Sequence, residues 1–221
     1  MSRVQYWAIA FGLTIAAVFA CYLFVDKPLA LFIHARLLSF RPFFILVTFI
    51  PEPFLVVAVL VVVVAGLRRM MGRPLSRPHA VALLWSIGLF VTVVLKNFLK
   101  FSFGRTWPET WINKNPSFIR DGVYSFNPFH GGKGFTAFPS GHMAVICFAM
   151  VVLWICYPRL RAVYALLIAV VAIGLMGANY HFLSDVIAGG FLGVSIACLA
   201  IALWEAGDYP RIRPHRVPAA S

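Results

Sequence analysis

Six stretches of nearly continuous apolar residues, close to 5–25, 53–71, 79–102, 139–157, 160–178 and 183–204, are separated by segments rich in Arg, Lys or Pro. Each is about as long as the roughly 20 residues a helix needs to cross a bilayer. The pattern predicts an all-α fold, an integral membrane bundle of six transmembrane helices forming one domain over residues 1–221. Residues 26–52 mix Lys27, His34, Arg36 and Arg41 with Leu, Phe and Ile, which predicts an amphipathic stretch lying at the interface. Residues 103–138 form the one long connection, and such a loop is usually functional or disordered. Its aromatic residues, among them Trp107, Trp111, Phe118 and Phe138, argue for packing at the membrane surface as a cover over a site.

Composition sharpens this picture. Hydrophobic residues make up 62% of the chain and charged residues 12%, whereas a soluble domain is nearer half apolar and a quarter charged. The first stretch has no small-residue cleavage site and carries Trp7 at its head, so it reads as a retained helix and not a removed leader. The formal net charge of +12 raises nucleic acid as a partner. The basic residues fall instead in short loops beside the spans, so the lipid bilayer is the partner they imply and no nucleic acid is expected. With the N-terminus inside, Arg3, Arg68, Arg69, Arg73, Arg77, Arg159, Arg161, Arg211, Arg213 and Arg216 gather on the inner side. Lys27, Arg36, Arg41, Arg105, Lys114, Arg120 and Lys133 fall on the other. Both termini are therefore expected in the cytoplasm, with the long loop outside. Cys21, Cys147, Cys156 and Cys198 all lie within spans and read as small packing residues. Nothing in the pattern specifies an oligomeric state.

Three groups of residues carry candidate chemistry. Lys96 and Lys100, four apart, share one face near the end of the third span. An ionisable residue there is a functional hypothesis, with snorkelling to the headgroups as the alternative. At Pro139-Ser140-Gly141-His142 a polar loop runs into an apolar helix, and free N–H groups at a helix start bind anions. Ordinary loop-to-helix punctuation has the same form. His181 and Asp185, four apart at the head of the sixth span, can share a face so that the carboxylate orients one imidazole nitrogen and frees the other to attack; a helix cap is the competing reading. His130, between Phe129 and two glycines, reads as a loop residue. No acidic or His cluster has metal-ligand spacing, and no metal or other cofactor is expected. All three groups fall at span ends on one side of the membrane.

Together these residues make the sequence resemble the type 2 phosphatidic acid phosphatase family of membrane lipid phosphatases, which shares its site with vanadium haloperoxidases. The family pattern begins with a Lys, six residues and Arg-Pro, and Lys100 and Pro108 match it. Its second part, Pro-Ser-Gly-His, is complete at Pro139 to His142. Its third is Ser-Arg, five residues, His, three residues and Asp, matched by His181 and Asp185. The resemblance implies a metal-independent phosphatase acting on a membrane lipid phosphate in a bacterial inner membrane, with its site facing the periplasm. It implies His181 as nucleophile, Asp185 as its orienting acid and His142 as proton donor to the leaving oxygen. Lys100, Ser140 and Gly141 would hold the phosphate.

Two family arginines are missing, since Trp107 and Leu175 stand in their places. A phosphoryl transition state spreads charge over three oxygens, so lost cations need replacement. Arg105, close to the third span, is expected to supply one; Lys96, Lys133 and Asn179 are further candidates. A lipid phosphotransferase of the same fold, and a weakly catalytic lipid-phosphate-binding or transport protein, are the other readings.

Overall fold

The computed structural model describes residues 2–112, 114–207 and 209–213. Regular structure among them is helical: α1 (Arg3–Ala20), α2 (Asp26–Leu37), α3 (Arg41–Thr48), α4 (Pro53–Met70), α5 (Arg77–Phe103), the short α6 (Phe118–Asp121), α7 (Gly141–Cys156), α8 (Arg161–Gly177) and α9 (Leu183–Ala206). Arg216, counted above on the inner side, lies outside the described residues.

The helical run Val4–Met70 and the helices Arg77–Phe103, Pro158–Gly177 and Leu183–Ala206 are long and apolar enough to cross a membrane, and Gly141–Cys156 is apolar but shorter. α4 exposes Val56, Leu60, Val63, Val64 and Leu67, an apolar surface of the kind lipid covers in a membrane span. The chain is an integral membrane protein. α7 lies at the centre, packed against α5, α8 and α9, and Ala144, Ile146, Phe148, Ala149 and Val152 are fully buried. Its approach to α9 is close because position 189 lacks a side chain. A Cβ on Gly189 would lie 2.4 Å from the Ser140 carbonyl oxygen. Backbone contact there brings the starts of α7 and α9 together, which is what the site requires.

The first helix departs from the expectation. It passes through a π-helical segment at Cys21–Val25 directly into α2, so residues 26–37 continue the first helix, and the chain then turns into α3. The buried residues of α2 are Asp26, Ala30 and Ile33, spaced as one helical face. α2 is not the amphipathic interfacial helix expected: its buried face includes the acid Asp26, while Leu31 and Phe32 are exposed. The long loop is folded. Arg105 bridges to Phe126 and Thr136, and Trp107 bridges to Ser117. Phe138 packs edge-on against Phe103 and Phe126. α5 ends at Gly104, whose φ of 57° is the left-handed cap that glycine adopts without a Cβ penalty. Arg105 follows at once and is turned inward.

Candidate active site

Three chain turns assemble the site. α8 ends in a reversal in which the Leu175 carbonyl accepts from the N–H groups of Tyr180 (3.0 Å) and His181 (3.3 Å), and this sets the height of His181. α9 opens with the Asp185 carboxylate accepting the Phe182 N–H at 2.9 Å, a capping contact. Ser140 caps α7, its Oγ accepting from Met143 N at 3.4 Å, and its own N–H donates to the Asp185 carbonyl at 3.0 Å. The starts of the two helices are thereby tied to each other. Lys100 donates to the Thr136 carbonyl at 2.6 Å, and its ammonium lies 5.5 Å from the centre of the Trp107 ring.

His181 is 4% exposed. Its Nδ1 lies 3.5 Å from Asp185 Oδ2, at the outer edge of hydrogen-bonding reach, and has no closer partner among the described residues. Hydrogen bonds of reactive groups are often long before substrate binds. Burial pushes the imidazole down to about 4; Asp185 works against that shift, and the nearby Lys100 and His142 reinforce it. A neutral imidazole with a carboxylate beside Nδ1 is the form a nucleophile needs. His142 is partly exposed, and its Nε2 lies 2.9 Å from Glu52 Oε1. The sequence reading did not connect Glu52 to the site. A cavity of about 230 Å3 has Lys96, Lys100, Gly141, His142 and Glu52 on its polar side and Leu55, Leu89, Val93 and Val145 on its apolar side. A larger apolar groove of about 710 Å3, lined by Phe11, Ile15, Phe19, Phe191 and Leu192, holds none of the charged groups.

The structure corrects the expected role of Arg105. It is 1% exposed and lies beneath the pair of His181 and Asp185. One terminal nitrogen donates to Asp185 Oδ1 (2.5 Å) and Ser184 Oγ (2.6 Å), and the other to Asp26 Oδ2 (2.8 Å) and the Tyr124 hydroxyl (3.0 Å). Burial opposes its charge, but Asp185 and Asp26 together hold its pKa above the usual value. Both terminal nitrogens are thus engaged by protein; Nε is buried without a partner among the described residues, and the geometry is that of a positioning residue for Asp185. Asp26, also accepting the Ser184 N–H at 3.0 Å, joins this cluster and was not connected to the site from sequence. The signal available was an acid directly after an apolar span.

A smaller correction concerns Ser140. Its N–H is taken by the Asp185 carbonyl, so only its hydroxyl hydrogen is left to donate to an anion. At the positions of the missing arginines, the Trp107 ring centre lies 5.1 Å from that of His181, the rings tilted by 46°, and its Nε1–H donates to the Lys133 carbonyl at 2.8 Å, while Leu175 is fully buried. Neither offers a donor to phosphate. Asn179 is buried and donates to the Ala30 carbonyl at 3.1 Å, and Lys133 is exposed on the loop. His130 is likewise exposed there. The cysteines are all free, with Cys147 and Cys156 buried in the bundle.

A helical membrane bundle with two histidines, an acid and lysines gathered at two helix starts defines a class. The PAP2 superfamily profile matches residues 79–207, and the chain belongs to that superfamily. Its sequence is 32% identical over 152 residues to the lipid A 1-phosphatase of Rhizobium johnstonii and, over the same length, 32% identical to that of Rhizobium etli. Each alignment covers 66% of this chain, and 59% and 62% of the respective relatives, so the chain spans about three fifths of their length. The fold is similar to the crystal structure of a transmembrane PAP2 type phosphatidylglycerolphosphate phosphatase from Bacillus subtilis. That match has a TM-score of 0.55 and 19% identity, covering 93% of this chain and 98% of that one.

Proposed function

We propose that this protein is a lipid phosphatase working through a phosphohistidine on the periplasmic side of a bacterial inner membrane. Its six spans would be α1, α4, α5, α7, α8 and α9, with both termini in the cytoplasm. The observation that carries the reading is the pairing of buried His181 with Asp185 beside the start of α7, with Lys100 and His142 near it. His181 Nε2 attacks phosphorus, forming the P–N bond as the P–O bond to the lipid breaks. Asp185 holds the proton on Nδ1, and His142 gives its proton to the departing oxygen. Water then attacks the phosphohistidine, His142 takes back a proton, and inorganic phosphate leaves. Lys100 and the Gly141 N–H stabilise the equatorial oxygens.

The substrate is a membrane lipid phosphate. The 1-phosphate of lipid A, on which the Rhizobium relatives act by name, is the first to test. Purified protein is offered lipid A, phosphatidate, phosphatidylglycerol phosphate and undecaprenyl pyrophosphate, and released phosphate is measured. Labelled enzyme is then acid-quenched from a ³²P-substrate. Release from at least one lipid, with label lost in His181→Ala and kept in His142→Ala, is the expected result. Label that survives in His181→Ala refutes the mechanism.

A further inference from the structure

The phosphate site as the family motifs define it is short of cations in this chain. Arg105 is enclosed by two carboxylates, Trp107 and Leu175 offer no donor, and Lys100 is the one motif cation that faces the start of α7. Lys96 lies one turn earlier on α5, on the same face. Its direction separates it from a headgroup anchor. A Cβ built on Gly141 would lie 3.1 Å from both Lys96 Nζ and Cδ, and 3.4 Å from Lys100 Cε. The Lys96 side chain therefore runs inward over the first residue of α7 and ends beside Lys100 at the wall of the 230 Å3 cavity. A snorkelling lysine would extend to the water interface instead.

Its bonding is incomplete in a telling way. The ammonium's one side-chain hydrogen bond is to the neutral Asn97 amide oxygen, at 3.2 Å, and among the described residues no carboxylate lies within ion-pairing distance of Lys96 or Lys100. Two adjacent ammonium groups at the positive end of a helix repel each other; Glu52 on the same cavity wall offsets part of this but is hydrogen-bonded to His142, and an anion between the lysines would relieve the rest. Gly141 at that point keeps its N–H open to the same anion, since no side chain stands in the way.

We infer that Lys96 is a second phosphate-binding cation, standing in for the arginines that Trp107 and Leu175 replace, and that it grips the phosphoryl group from the membrane-facing side of the cavity. The inference rests on the functional reading above for its substrate but not for its chemistry, which is that of any phosphate. Two point charges in place of guanidinium forks hold the phosphate without bidentate geometry. The apolar wall of Leu55, Leu89, Val93 and Val145 below Lys96 would take the first part of the lipid.

The test measures binding of inorganic phosphate to the purified full-length protein in detergent, read as the rise in unfolding temperature with phosphate concentration. Lys96→Met should raise the apparent Kd by one to two powers of ten, the loss expected for one charged hydrogen bond. Lys96→Arg should recover most of the affinity, and Asn97→Ala should leave it unchanged. Wild-type phosphate affinity in Lys96→Met overturns the inference, as does a wild-type protein that shows no phosphate response. Phosphate binding that depends on Lys96, in a protein that releases phosphate from none of the lipids, would support Lys96 and refute the hydrolase reading.

Discussion

Replacing Arg105 with Met tests whether its guanidinium positions Asp185 or holds phosphate. The change keeps much of the side chain's length and removes the cation from a cluster in which Asp26 and Asp185 are both essentially unexposed. Breaking a buried ion pair by removing one partner costs about 3–5 kcal/mol, because the other charge is left uncompensated. Here one cation serves two carboxylates, so the upper part of that range is expected in a denaturant titration of the detergent-solubilised protein. Asp185 keeps its bond from the Phe182 N–H but loses the restraint on Oδ1, so turnover should fall by roughly 10–100-fold, as when the outer partners that orient metal-bound histidines are removed. Phosphate affinity should stay near wild type, since Arg105 does not reach the cavity. Adding Asp26→Asn to Arg105→Met removes one stranded carboxylate and should restore part of the stability. The reasoning is refuted if Arg105→Met keeps normal kcat while its phosphate affinity drops tenfold or more. That outcome would make Arg105 a phosphate ligand after all.

Other expectations follow from the same features. Because burial depresses the His181 pKa from its usual value of about 6.5 to about 4, the unfolded chain takes up more protons between those limits. Stability should be complete above about pH 6.5 and decline as pH falls towards 4, with a shallower decline in His181→Asn, measured as unfolding temperature against pH. A cysteine introduced at Lys114 should react with an impermeant thiol reagent in intact cells, and one at Arg73 should not; the reverse pattern would place the site on the cytoplasmic side. EDTA should leave phosphate release intact, since histidines and lysines occupy the motif positions where a metal site would use carboxylates. Loss of turnover restored by Mg²⁺ would refute the histidine mechanism.

Helix limits were largely legible in the chain. Pro53, the Gly-Arg-Pro turn before α5 and Gly104 mark boundaries that the structure keeps to within a few residues, because proline and glycine act locally. The end of the first helix was not legible, since Asp26-Lys27-Pro28 has the look of a stop. Its continuation depends on a partner for Asp26, and Arg105 is 79 residues away. The motif residues could be grouped because their spacing places each at a helix end. The direction of Arg105 could not, because it is fixed by bridges to Phe126 and Thr136 within a loop that has no periodic pattern. Glu52 was missed for a similar reason, standing 90 residues from His142.

The cluster around Asp26 also constrains how the protein is made. Asp26 lies just beyond α1, yet the cation that neutralises it arrives only after α5, and its second anchor, Ser184, is 158 residues downstream. Until Arg105 is made, the growing chain therefore holds an unpaired acid at the end of an inserted helix, where water must solvate it. Only when α9 enters can Asp26, Arg105, Ser184 and Asp185 close together. α9 thus completes both the buried ion cluster and the pair of His181 and Asp185, so a chain stopped short of α9 would lack both the reactive centre and the cluster that ties α2 to α9.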